Sequence, residues 1–212
     1  MTTTLELYRK GRLDEIWTRH CGFIDLSIDE FMDIQERLLL EQIDLLAGSD
    51  IGQQILGGHV PTSVEEFRDR IPLTAYEDYY PYLSQKREDV LPREPVWWLH
   101  TSGRSGPDFK WVPYSEEATR KLGECAMSTI IFASCSRRGE FVFEEGDTML
   151  YALAPFPYMS GAVARGFDRE FNFTFLPPLE EAEALGFQER IQEGFRLALR
   201  EGLDAFNGVA SV

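Results

Sequence analysis

Apolar positions in the first ninety residues recur at helical spacing. Ser27-Ile28-Asp29-Glu30 has the form of a capping box, in which the serine hydroxyl accepts from the amide three residues on and the glutamate reaches back. Behind it Phe31, Ile34, Leu38 and Leu45 fall on one helical face, and Leu39, Ile43 and Leu46 widen that face. Gly48 ends the pattern. Two more boxes, Ser63-Val64-Glu65-Glu66 and Thr74-Ala75-Tyr76-Glu77, predict shorter helices, and Pro81 keeps the second of these short or kinked.

The pattern changes near Leu91-Pro92. Val96-Trp97-Trp98-Leu99-His100 is a compact β-prone run, and Phe109-Lys110-Trp111-Val112-Pro113 is a second. A helix starts near Ser115, with Leu122, Ala126, Ile130 and Ala133 on one face. Thr148–Leu153 and Phe171–Leu176 read as strands, and 180–203 reads as one long helix carrying Ile191, Phe195 and Leu199. Phe206 onward reads as a further strand in which the chain stops. Strands alternating with helices imply a largely parallel α/β sheet. The expected layout is a helical N-terminal segment over 1–92 and a partial α/β domain over 93–212, its mainly parallel sheet flanked by helices.

Composition narrows the function. The 212 residues carry 36 acidic against 21 basic side chains, a net charge of −15. Such a field repels phosphate backbones and anionic lipid heads, which argues against nucleic-acid and membrane-surface binding. A small anion needs only a local cluster of donors. The three cysteines, Cys21, Cys125 and Cys135, form neither a metal-ligand spacing nor a disulfide framework. No signal peptide pattern is visible, no apolar run has the length of a bilayer span, and a cytoplasmic location is expected.

The segment Thr101-Ser102-Gly103-Arg104-Ser105-Gly106, followed by Lys110, carries the candidate chemistry. Glycines let the backbone turn tightly and approach a ligand, successive amides can point at phosphate oxygens, and hydroxyls add donors. Composition leaves two readings open, a phosphate cradle and a plain glycine-serine hairpin loop. It is not a Walker A loop, because no Lys-Ser or Lys-Thr follows Gly106.

The stretch from His100 through Pro113 resembles the signature loop of the adenylate-forming superfamily, which includes acyl-CoA synthetases and the auxin-responsive acyl–amino acid ligases. Phe67-Arg-Asp-Arg-Ile-Pro-Leu-Thr-Ala-Tyr-Glu-Asp-Tyr is similar to a helix of the acyl–amino acid ligases and phenylacetate-CoA ligases. Asp147-Thr-Met-Leu-Tyr-Ala-Leu-Ala-Pro-Phe-Pro-Tyr-Met-Ser-Gly resembles the strand-to-helix passage that follows the loop. Arg104 stands where the family has a small hydroxyl residue, and Asp108 and Phe109 set Lys110 further from Gly106.

The resemblance implies the incomplete N-terminal domain of an enzyme that activates a carboxylic acid with ATP and Mg²⁺, then passes the acyl group to CoA or an amine. It implies that Thr101, Ser102, Gly103, Arg104, Ser105, Gly106 and Lys110 bind the nucleotide phosphates. It assigns no catalytic residue and no metal ligand. The family's adenine and ribose motifs and its C-terminal domain are absent from the sequence, so a fragment, inactive by itself and lacking its C-terminal portion, is expected. The alternative is a non-catalytic phosphate-binding or interaction module derived from such an enzyme. His20-Cys21 makes a poor metal site, the tyrosines Tyr76, Tyr79, Tyr80 and Tyr82 are expected to pack between helices, and Trp97, Trp98 and Trp111 to anchor the loop strands. Pro157, Tyr158, Met159, Ser160 and Gly161 form either part of an acyl pocket or a plain strand-to-helix turn.

Overall fold

The computed structural model describes residues 2–101 and 110–208. Its helices are α1 (Thr4–Arg9), α2 (Leu13–Cys21), α3 (Ile28–Ala47), α4 (Asp50–Leu56), α5 (Val64–Arg70), α6 (Tyr76–Leu83), α7 (Glu116–Ser134), α8 (Met159–Phe171), α9 (Leu179–Ala184) and α10 (Phe187–Glu201). Its strands are β1 (Trp97–His100), β2 (Trp111–Tyr114), β3 (Thr148–Ala152), β4 (Thr174–Leu176) and β5 (Ala205–Gly208). The chain divides into two compact units, Met1–Gly22 with Glu117–Val212, and Phe23–Glu116.

In the first unit three parallel strands lie in the order β4-β3-β5. The central strand buries Met149, Leu150, Tyr151 and Ala152 in succession, the continuous burial expected of a parallel strand covered on both faces. On α10, a Cβ at Gly194 would sit 2.6 Å from Leu150 Cδ1 and 3.0 Å from the Leu176 carbonyl oxygen, so glycine permits this helix–sheet contact. Met127 and Ile131 from α7 join Phe167 and Phe171 from α8 in the core beside Met149 and Phe175. Edge-to-face ring pairs run through it, including Phe141–Phe171 at 5.0 Å and Phe143–Phe173 at 5.4 Å. Each fully buried phenylalanine contributes about 1.5–3 kcal/mol over an exposed one.

The first two helices belong to this same core. Leu7, Ile16, Trp17 and Cys21 are buried within it. The Thr3 hydroxyl accepts from the Glu6 amide at 3.2 Å and the Glu6 carboxylate accepts from the Thr3 amide at 3.3 Å, which starts α1. Buried polar atoms then fix its position: Thr4 Oγ1 lies 2.6 Å from Glu170 Oε2 and 2.8 Å from His20 Nε2. His20 and Cys21 are thus core residues, and burial pushes the Cys21 thiol up to about 11.

The second unit contains α3 to α6 and the antiparallel pair β1–β2. The Ser27 box forms as expected, with Glu30 N donating to Ser27 Oγ at 3.2 Å and Ser27 N to Glu30 Oε2 at 2.8 Å. Of the apolar face read for α3, only Ile43 is buried, while Phe31 and Leu38 are exposed. Ile51, Leu83 and Val90 form a small core, packed by Tyr76, Tyr79, Tyr82 and Trp98. Of the four tyrosines expected to pack between helices, Tyr76, Tyr79 and Tyr82 pack on this core, whereas Tyr80 is exposed.

The mixed α/β class holds, with the parallel sheet flanked by helices. Local boundaries differ in instructive ways. The third box starts one residue later than read: Ala75 N donates to Asp78 Oδ2 at 2.7 Å, so Ala75 rather than Thr74 sits at the cap. Phe171 ends α8 instead of opening a strand, because Asn172 takes a left-handed conformation (φ 54) that Asn tolerates. The single helix expected over 180–203 is two. Leu185 is extended (φ −92, ψ 147), and the Glu189 carboxylate accepts from the Gly186 amide at 3.2 Å to start a fresh helix.

Candidate functional site

β1 and β2 run antiparallel in the register Trp97↔Tyr114 to His100↔Trp111. One more hydrogen bond, Thr101 N to the Lys110 carbonyl at 3.2 Å, continues the ladder past the strand ends. Thr101 and Lys110 are thereby held opposite each other at the base of the candidate loop. The intervening Ser102, Gly103, Arg104, Ser105 and Gly106 lie outside the described residues.

Aromatic packing makes the hairpin stiff. Leu99 and His100 are buried, and the His100 ring meets Trp111 edge-on at 5.1 Å. Trp98 Nε1 donates to Glu88 at 3.1 Å while its ring packs against the Ile51–Leu83–Val90 cluster. From α6, Tyr76 donates its hydroxyl proton to the Trp111 carbonyl at 3.1 Å, tying helix to strand.

The charges at this base are mixed. Lys110 Nζ lies 3.2 Å from Glu77 Oε1 and 5.1 Å above the Tyr76 ring. Lys86 Nζ sits 3.5 Å above the Trp111 ring, in a turn where Lys86 itself has φ 51. Burial first, and Lys86 last, hold the His100 imidazole below its usual range, with a Thr101 backbone hydrogen bond opposing. The Glu77 carboxyl is held low, first by a backbone hydrogen bond and then by Lys110.

Among the described residues, two ammonium groups, those of Lys86 and Lys110, thus stand with Thr101 at the base of the strand pair. Lys86 is not legible as a site residue from the sequence, since nothing in Ser84-Gln85-Lys86-Arg87 marks a ligand. Among the described residues no group of three or more acidic, histidine or cysteine side chains is arranged to hold a metal.

The second region singled out by sequence, Pro157 to Gly161, spans the end of the turn after β3 and the first turn of α8. Tyr158 N donates to the Pro155 carbonyl at 2.9 Å and Ser160 Oγ to the Ala154 carbonyl at 2.8 Å. A Cβ at Gly161 would lie 2.0 Å from Phe156 N, so the backbone closes where only glycine fits.

A family model described as the GH3 family N-terminal domain matches residues 21–155, which take in the whole β1–β2 hairpin and its loop. The chain belongs to the GH3 family. Among solved structures it is similar to the AtGH3.15 acyl acid amido synthetase in complex with 2,4-DB, with a TM-score of 0.62 and 14% sequence identity. That alignment covers 93% of this GH3 chain and 35% of the synthetase, so the chain spans about a third of the solved relative. At this identity the likeness establishes the fold. A search of the curated proteins finds no match. No helix among the described residues is long and apolar enough to cross a membrane.

Proposed function

We propose that this chain supplies the phosphate-holding part of an ATP-dependent ligase that activates a carboxylic acid as an acyl-adenylate for transfer to an amine. One observation carries the reading: in a GH3 family chain, a stiff antiparallel pair closed by Thr101 N and the Lys110 carbonyl brackets a run rich in glycine and hydroxyl residues. The amido synthetase named for the solved relative supports an amine acceptor over CoA.

In this reading Thr101, Ser102, Gly103, Arg104, Ser105 and Gly106 hold the β- and γ-phosphates. When bound, ATP with its Mg²⁺ would supply the adenylyl group that the carboxylate takes as pyrophosphate leaves. The loop's backbone amides and hydroxyls orient the leaving pyrophosphate, and Lys110 and Lys86 hold positive charge at its base. Catalysis of this kind rests on positioning and charge stabilisation. A cytoplasmic setting suits an ATP-consuming enzyme.

Isothermal titration of the chain with ATP and Mg²⁺ tests the assignment, alongside a Ser102→Ala, Ser105→Ala double variant. Binding by the parent that weakens about tenfold or more in the double variant supports the phosphate loop. Equal binding by both removes the loop from the site, and no binding by the parent removes this chain's ATP role.

A further inference from the structure

Basic side chains from α2 and α7 converge on one open recess of about 530 Å³. Arg12, Glu15 and Arg19 are spaced three and four positions apart, which sets them along one side of α2 and its N-terminal cap. Arg120, Lys121 and Glu124 line the recess from α7. All six belong to the first compact unit. Four cations against two carboxylates reverse, at this one place, the sign of a chain whose net charge is −15.

The pairing inside the recess leaves that surplus unanswered. Arg12 and Glu15 cancel each other in an ion pair. Glu124 is asked to serve two guanidiniums through a single oxygen: its Oε1 accepts from Arg19 at 2.8 Å and from Arg120 at 2.6 Å. One negative charge between two positive ones leaves one positive charge over. A further terminal nitrogen of Arg19 donates to the Thr2 carbonyl, a neutral acceptor, and its Nε is buried with no hydrogen-bond partner. Lys121 is exposed and has no ion pair among the described residues, and its ammonium adds a second positive charge. Like charges gathered in this way repel each other, and an anion placed among them relieves the repulsion.

We propose that this recess binds a phosphate group, free or as the monoester of a small organic molecule, with Lys121 and Arg120 donating to its oxygens. A phosphate monoester carries about −1.5 to −2 charges at neutral pH, which answers a surplus of two, whereas a monocarboxylate would leave one charge unmet. Guanidinium and ammonium donors together suit phosphate oxygens, the first as a planar fork and the second as a point charge. The volume lies in the range of small-molecule sites, so there is room for an organic body beside the phosphate.

The recess uses none of the residues assigned to the ATP loop, and its test needs no nucleotide. The full chain is titrated at about pH 7.5 and equal ionic strength with glycerol 3-phosphate, inorganic phosphate and acetate. The tighter of the two phosphates is expected to bind at least about tenfold more tightly than acetate. Glycerol 3-phosphate ahead of inorganic phosphate identifies an ester, and the reverse order or equality identifies free phosphate. The Arg120 side-chain Nε–Hε signal in a ¹H–¹⁵N spectrum should shift with phosphate and not with acetate. Lys121→Gln, which removes an exposed charge that holds nothing else, should weaken phosphate binding about threefold or more. The Ser102→Ala, Ser105→Ala variant should bind phosphate as the parent does. No phosphate binding, acetate binding equal to it, an unmoved Arg120 signal or an unaffected Lys121→Gln variant overturns the proposal. Loss of phosphate binding in the double serine variant overturns it too, because the anion would then sit at the loop.

Discussion

Thr4 Oγ1 donates to Glu170 Oε2 at 2.6 Å across 166 positions of sequence, and the Thr4 amide donates to the same oxygen at 3.2 Å. Thr4 is fully buried and Glu170 is 6% exposed, so the first turn of the chain is locked into the core by an acid that water does not reach. Thr4→Val keeps the shape and removes the donor. Its expected effect is a loss of about 1–3 kcal/mol in urea unfolding with an unchanged slope, because the carboxylate keeps only the amide. An unchanged midpoint would show that the hydroxyl adds nothing to the lock.

Acidification should weaken the fold through its histidines. Burial is the first cause that depresses both His20 and His100. The unfolded chain, with histidine pKa values of about 6.5, then takes up protons before the folded one does. The contribution is whole above about pH 6.5 and is lost as pH falls from there through the folded values. Urea midpoints should be lower at about pH 5.5 than at about pH 7.5, and a His20→Gln, His100→Gln double variant should show a smaller drop. A midpoint that rises on acidification in the parent chain would contradict the burial argument.

Helices α7 and α8 touch backbone to backbone at Gly123 and Gly166. A Cβ on Gly166 would lie 2.8 Å from Gly123 Cα. Gly166→Ala gains about 1 kcal/mol of helix propensity, yet it meets rigid backbone, where overpacking costs about 1–3 kcal/mol. Net destabilisation by thermal melting is the expected result. A stabilised variant would mean the helices separate at little expense.

Lys110 shares its charge with Glu77, whose side chain is 68% exposed. If the loop holds ATP, Glu77→Gln frees the ammonium for phosphate. Exposed pairs are worth at most about 1 kcal/mol, so ATP affinity should rise only about two- to threefold. A fall in affinity would show that Glu77 positions Lys110 rather than competing for it.

Short-range features are legible in the residues themselves. The Ser27-to-Glu30 box starts α3 as those residues dictate, since both partners lie within one helical turn. The helix–strand alternation and the parallel sheet are legible too, because β3 is apolar at every position from Met149 to Ala152. Boundaries that turn on one residue's backbone choice are not. The α8 stop at Asn172 and the break at Leu185-Gly186 fall within apolar patterns that fit either outcome.

For the candidate site, the sequence by itself marked the segment: a glycine and hydroxyl run between two aromatic strands, within a stretch that matches the GH3 N-terminal domain. Only the tertiary structure decided the company those residues keep. Lys86 over Trp111, Glu77 against Lys110 and Arg19 against Glu124 are relationships between elements. Composition and periodicity report which face of an element is apolar. Which charge meets which, and which buried donor is left unmet, depends on distances that exist only once the elements have packed.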